Sequence, residues 1–189
     1  MPAISDPGEV LVRDAHARGI KVVPIPAASA AITALAVSGQ ITGRFVFEGF
    51  LPTNRRQKKE RLAALLHEER TIIFYEAPHK LTTTLQDLEN SVGGERSITL
   101  CRELTKLHEE IKVTTVGEAN AYYQQNAPRG EFVLVMAGAS TPETTEMTLA
   151  QAVDYAKSLM ADGQSATAAA KQAATISPFS KSEIYKECL

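Results

Sequence analysis

Two short segments concentrate groups able to hold or move a proton. Phe74-Tyr75-Glu76-Ala77-Pro78-His79-Lys80 places a carboxylate, an imidazole and an ammonium behind an apolar run. Residues 101–110, Cys101-Arg102-Glu103-Leu104-Thr105-Lys106-Leu107-His108-Glu109-Glu110, hold seven ionisable groups in ten. Carboxylates flanked by cations suit general acid–base work and the positioning of an anionic substrate. A solvated loop is the plain alternative for the second segment; two such clusters behind two apolar runs favour a cleft. A third segment, Arg55-Arg56-Gln57-Lys58-Lys59-Glu60-Arg61, has five cations in seven residues. It reads either as a solvated helix face or as a patch contacting phosphates.

Two turn-rich segments, Pro2-Ala3-Ile4-Ser5-Asp6-Pro7-Gly8 and Pro24-Ile25-Pro26-Ala27-Ala28-Ser29, each precede a helical pattern. Backbone N–H groups at a helix start lack partners inside the helix and are available to a ligand. Taken alone, each segment reads first as a structural turn. Dinucleotide, NTPase, zincin and α/β-hydrolase fingerprints are absent, which removes the commonest readings of those classes. His79 and His108 have no second ligand at metal spacing, so no metal is expected.

The elements that must position these groups alternate along the chain. Asp6 is expected to cap a helix over 9–18 with Pro7 as its first residue. A strand over 19–26 and a small-residue helix over 29–38 follow, then a strand over 44–51 and a charged helix over 54–68 with Leu62, Leu65 and Leu66 on one face. The near-continuous run 71–75 reads as a strand buried on both faces. Pro78 opens a helix whose stripe is Leu81, Leu85 and Leu88, ending at Gly93-Gly94. Strands over 97–102, 111–116 and 130–136 and a helix over 118–125 complete an α/β sheet, at least partly parallel. A polar linker at 139–142 leads to an Ala-rich tail with helices over 149–160, 166–175 and 182–189, either a helix-turn-helix or a packing appendage.

The composition suits such a fold. The chain has 189 residues, 44% hydrophobic and 22% charged, with 20 Lys and Arg against 22 Asp and Glu. Fibrous and wholly disordered chains are excluded. No apolar run reaches the length of a membrane span, and residues 1–8 lack the marks of a signal peptide, so a cytoplasmic location without membrane contact is expected. Cys101 and Cys188 lack redox or metal spacing and are expected to be free thiols. With a formal net charge of -2, any nucleic acid must be held by a local patch.

Taken in order, these segments resemble the motifs of the tetrapyrrole methylase superfamily and, within it, of the 16S ribosomal RNA 2′-O-methyltransferase family. Residues 2–8 are similar to GTPxISDPG, 23–35 to VPxPGPSAxxTAL, 45–52 to FxFxGFLP, 71–80 to TxIFYExPHR, 101–110 to the RELTKxxEE segment and 130–135 to GEFVLV. The tail, over 165–171 and 180–185, is also similar to that family's C-terminal extension. The resemblance implies methyl transfer from S-adenosylmethionine to the ribose 2′-hydroxyl of a cytidine in 16S ribosomal RNA, by a homodimer of two-domain α/β subunits with the cofactor between the domains. Its implied layout is the C-terminal part of a first α/β domain over 1–43, a complete second α/β domain over 44–138, and a linker with a small helical tail over 139–189. Transferred by position, cofactor contacts fall on Ile4, Ser29, Ala30, Tyr75 and Leu104. Glu103 or Glu76 is expected to polarise the hydroxyl, with Arg102 beside them. His79, Lys80, Lys106, Arg55, Arg56, Lys58 and Lys59 are expected to meet the RNA. Ala27 and Ala28 stand where the family has Gly and Pro, and Met1 where it has the Thr of GTP, so the family's preceding strands are expected to lie outside these residues. A corrin-precursor methylase and a non-catalytic RNA-binding or dimerising fragment are the alternatives.

Overall fold

The computed structural model describes residues 1–139 and 147–188. Its core is built on two short apolar runs that have no polar alternation and so must be covered on both sides. TIIFYE becomes β2 (Thr71–Glu76) and FVLVM becomes β5 (Phe132–Met136), with every residue of β5 buried. They lie side by side at the centre of a five-stranded sheet. Outside them are β1 (Phe45–Gly49), β3 (Ser97–Arg102) and β4 (Glu110–Thr115), in the order β1-β2-β5-β3-β4. β1 and β2 are parallel; the other three pairings are antiparallel. The partly parallel sheet expected from strand–helix alternation therefore has one parallel pair.

Successive side chains of a strand face opposite sides of the sheet. On one face Ile72, Phe74, Leu100, Phe132 and Leu134 meet α3 (Arg55–Leu65), α4 (Pro78–Val92) and α5 (Val116–Gln125). Leu81, Leu85 and Leu88 of α4 are wholly buried there, each adding about 1.5–3 kcal/mol of transfer free energy. On the other face Ile73, Cys101, Val133 and Val135 pack against Ala31, Ala34 and Leu35 of α2 (Ala30–Val37). Small residues let α2 lie close, and polar contacts register it: Thr99 donates from Oγ1 to the Ser38 carbonyl at 2.7 Å, and Gln40 Nε2 donates to Ser97 Oγ at 2.9 Å.

Two expectations fail at the start of the chain. Helix α1 (Glu9–Ala17) begins after Gly8, whose φ of 138° only glycine adopts readily, and Asp6 and Pro7 belong to the preceding turn. That turn is closed by Ala3 N–H to the Pro7 carbonyl and Ile4 N–H to the Met1 carbonyl, which leaves Asp6 outside the capping position. Residues 19–26 form no strand. A strand is held by its ladder, and among the described residues none pairs with this segment; Ile20, Val23 and Ile25 stay exposed.

The described residues 147–188 belong to a second compact unit. Its helices α6 (Leu149–Ala161), α7 (Ala166–Thr175) and α8 (Lys181–Cys188) enclose Ala152, Ala156, Ala169, Ala173 and Ile184. Thr148 and Gln151 form a reciprocal cap at the start of α6. Residues 140–142 of the expected linker and the end of the last expected helix, at 189, fall outside the described residues. No helix among the described residues is long and apolar enough to cross a membrane.

Candidate functional site

Strand directions bring the ionisable segments to one edge. β1, β2 and β3 end there while β4 and β5 begin there. In register across this edge stand Glu76, Phe132, Arg102 and Glu110. Residues directly opposite in a sheet share a face, and Phe132 faces α4 and α5. Glu76 and Arg102 therefore point to the helix-covered side, while Tyr75 and Leu104 pack on the α2 side.

Glu76 is 4% exposed and both of its oxygens are engaged. Oε1 accepts from the Ala77 N–H at 2.8 Å and Oε2 from the Thr84 hydroxyl at 2.5 Å. The carboxylate thus stands at the opening turn of α4, where Ala77 has no side chain to cap with. Arg102 Nε lies 3.0 Å from Glu110 Oε2, yet its N–H is not aligned on any acceptor. His79 and Lys80 sit on the first turn of α4, exposed and half-buried respectively.

Glu103 leaves β3 with a left-handed backbone, φ 49°. Its Oε1 accepts from the Glu131 N–H at 2.8 Å and from Lys106 Nζ at 3.0 Å, and Lys106 also reaches Glu131 Oε2 at 2.9 Å. The Glu131 N–H, then Lys106, hold the Glu103 carboxyl below the ordinary carboxylate range. Gly130 makes this approach possible, since a Cβ there would lie 2.5 Å from Glu103 Cγ. Nothing in the composition around Gly130-Glu131 marked them as partners of Glu103; only pairing of β5 with β3 places them there.

On the α2 side lies a cleft of about 560 Å³ walled by Ile4, Ala28, Ser29, Ile32 and Phe47. Tyr75 braces it from below: its hydroxyl accepts from the Ala31 N–H at 3.2 Å, and its ring meets Phe47 and Phe50 edge-on at 5.0 and 5.8 Å. Ala30 is the first residue of α2, and Leu104 joins the apolar cluster beneath it. The turn bearing Ile4 presses on the end of β1, where a Cβ on Gly49 would lie 2.8 Å from Ser5 Oγ. Among the described residues the only non-glycine positions with positive φ are Ala3, Ser5, Glu103 and Thr105. Both are loops flanking this edge, and strain so placed is a mark of a functional site.

The cations of α3 divide. Arg56 pairs with Glu60 at 2.9 Å, Arg61 with Glu48 at 3.1 Å and Lys58 with Asp87 of α4 at 2.6 Å. Arg55 and Lys59 have no carboxylate partner among the described residues. Cys101 is buried, and that burial pushes its thiol up to about 11, which suits packing and not nucleophilic attack. Among the described residues no three His, Cys, Asp or Glu side chains gather as a metal site.

The chain is similar to known proteins in sequence and in fold. The family model of Tetrapyrrole (Corrin/Porphyrin) Methylases matches residues 1–120. A Synechocystis protein named ribosomal RNA small subunit methyltransferase I is 46% identical over 98% of this chain and 66% of its own length. A Pseudomonas aeruginosa protein of the same name is 43% identical over 100% of this chain and 67% of its own. The chain thus spans about two thirds of the length of these relatives. Among solved structures, the methyltransferase CobJ superposes with a TM-score of 0.56 at 19% identity, over 74% of this chain and 62% of that one. That likeness concerns the fold.

Proposed function

Because the chain belongs to the tetrapyrrole methylase family, we propose that it serves S-adenosylmethionine-dependent methylation of a ribose 2′-hydroxyl, that of a cytidine in 16S ribosomal RNA. The observation behind this reading is that the α2-side cleft, through Phe47, and the strained 103–105 loop, through Leu104, pack against one apolar cluster on the same face of the sheet. The cleft fits the cofactor's chemistry: Ile4 and Phe47 offer apolar walls, and Ser29 and the start of α2 offer polar groups. Of the residues expected to hold it, Ile4 and Ser29 line the cleft, while Ala30, Tyr75 and Leu104 support its walls through the start of α2 and the cluster beneath it. When bound, that group supplies an electrophilic methyl.

The chain's own residues then orient and polarise. Glu103, kept anionic at neutral pH by Glu131 and Lys106, accepts a hydrogen bond from the ribose hydroxyl and aligns its oxygen lone pair. A carboxylate so stabilised is a weak base, so its contribution is orientation more than proton removal. Arg102, anchored beside Glu110, places fixed positive charge at the edge for the RNA backbone, joined by His79 and Lys80. Glu76, with both oxygens engaged, shapes α4 and leaves the polarising role to Glu103. The enzyme is taken to act as a cytoplasmic homodimer on the small ribosomal subunit. Incubation with radiolabelled S-adenosylmethionine and unmodified small subunits tests the reading: label in 16S RNA supports it, and label only in a corrin precursor overturns it.

A second reading is favoured by the unpaired, exposed segment 19–26 beside the cleft: a chain that binds RNA or dimerises without holding the cofactor alone. Calorimetry with S-adenosylmethionine separates the two, folded protein without heat of binding favouring the second.

A further inference from the structure

Helices α3 and α4 do not close on each other completely. Between them runs a groove of about 580 Å³. One wall runs along α3 and its C-cap at helical spacing, Arg55, Lys59, Leu62, Ala63 and Leu66, about 16 Å long. The other wall is Asp87 and Ser91 of α4. The Lys58–Asp87 ion pair at 2.6 Å ties the walls together, so Lys58 acts as a strut and its charge is spent within the protein. Arg55 and Lys59 face the groove without a carboxylate partner among the described residues, above an apolar floor where Leu66 is 43% exposed. Because α3 follows β1, the Arg55 end opens at the sheet edge that bears Arg102 and Glu103.

We propose that this groove takes single-stranded RNA leading away from the methylated nucleotide, with phosphates on Arg55 and Lys59 and an unstacked base on the exposed Ala63 and Leu66. The inference rests on the RNA reading above and deepens it. Cations above an apolar floor match the two surfaces of an unpaired nucleotide, whereas a duplex turns its bases inward and would leave the floor unused. The patch thereby sorts into functional and structural halves: Arg56 and Arg61 lie on carboxylates, away from the groove.

Fluorescence anisotropy of the full chain with a labelled six-nucleotide single-stranded RNA, over a salt series, tests this. Each of Arg55→Glu and Lys59→Glu should weaken binding several-fold and flatten the logarithmic salt slope by about 0.7 per lost phosphate contact. Arg56→Glu makes the same charge change outside the groove and should leave the slope alone. Leu66→Ser removes apolar surface without adding charge and should weaken the RNA yet spare an abasic strand of equal length. Equal effects of Arg55→Glu and Arg56→Glu would mean diffuse attraction and would overturn the groove. Wild-type binding unaffected by any variant would also overturn it while leaving the RNA reading intact. A wild-type chain that binds no RNA even at low salt would remove both.

Discussion

Tyr75 and Ala31 are 44 positions apart, and the hydroxyl of the first accepts the backbone N–H of the second at 3.2 Å. The bond joins the end of β2 to the start of α2 and so holds the helix turn that walls the α2-side cleft against the sheet. A helix begins with N–H groups that nothing inside it can satisfy; here one of them is used to hold a sheet.

Tyr75→Phe keeps the ring contacts with Phe47 and Phe50 and removes only the hydroxyl. Loss of that bond should cost about 0.5–1.5 kcal/mol in a denaturant melt, with a larger proportional loss of S-adenosylmethionine affinity because that helix turn is freed. Unchanged affinity by calorimetry would separate the brace from the cofactor site.

Gly130→Ala places a methyl 2.5 Å from Glu103 Cγ at a φ of 79°. The backbone penalty alone is about 1–3 kcal/mol, and the 103–105 loop must shift. Methyl transfer should fall by more than the loss of folded protein explains, read as kcat at a temperature where circular dichroism shows the variant folded.

Glu76 and Glu103 should respond oppositely to amide substitution. Glu103→Gln weakens the link to Lys106 and the polarisation of a ribose hydroxyl, so kcat should drop with little change in melting temperature. Glu76→Gln disturbs the bonds to Ala77 and Thr84, and its effect should appear as a stability loss of about 1–3 kcal/mol in a denaturant melt, with kcat per folded molecule near wild type. A reversed pattern would return the polarising role to Glu76.

Glu68 gives a pH dependence with a defined sign. Hydrogen bonds from the Arg70 side chain and then its backbone lower the Glu68 carboxyl from 4.5 to about 2. A carboxyl with a depressed native value stabilises the fold above its unfolded value and loses that contribution as pH falls toward the native one. The link should therefore be intact above about 4.5 and fade toward about 2. In Arg70→Ala, carboxyl NMR titration should move Glu68 upward; an unmoved midpoint would refute the assignment.

Much of the sheet was legible because its central strands are short, continuous apolar runs with glycine or proline at their flanks: Pro78 opens α4 and Gly93 closes it. Residues 19–26 misled because β-branched composition looks the same with or without a neighbour to pair with. The site was legible in its clusters and not in its faces. Tyr75 and Glu76 are consecutive, so they must point to opposite sides of β2. Which side holds the cleft depends on pairing with β5 56 or more positions later, and that register alone shows Glu76 turned toward α4.

The unpaired stretch near the start of the chain has a consequence for behaviour in concentrated solution. Its exposed Val22, Val23 and Ile25 present the kind of row that other chains extend by adding strands edge to edge. Pro24 and Pro26 interrupt that row, because a proline has no N–H to give to a ladder, and Lys21 adds a charge beside it. Without an N–H at positions 24 and 26 the segment makes a poor template for an added strand, and replacing both prolines by valine should raise concentration-dependent light scattering above that of the wild type.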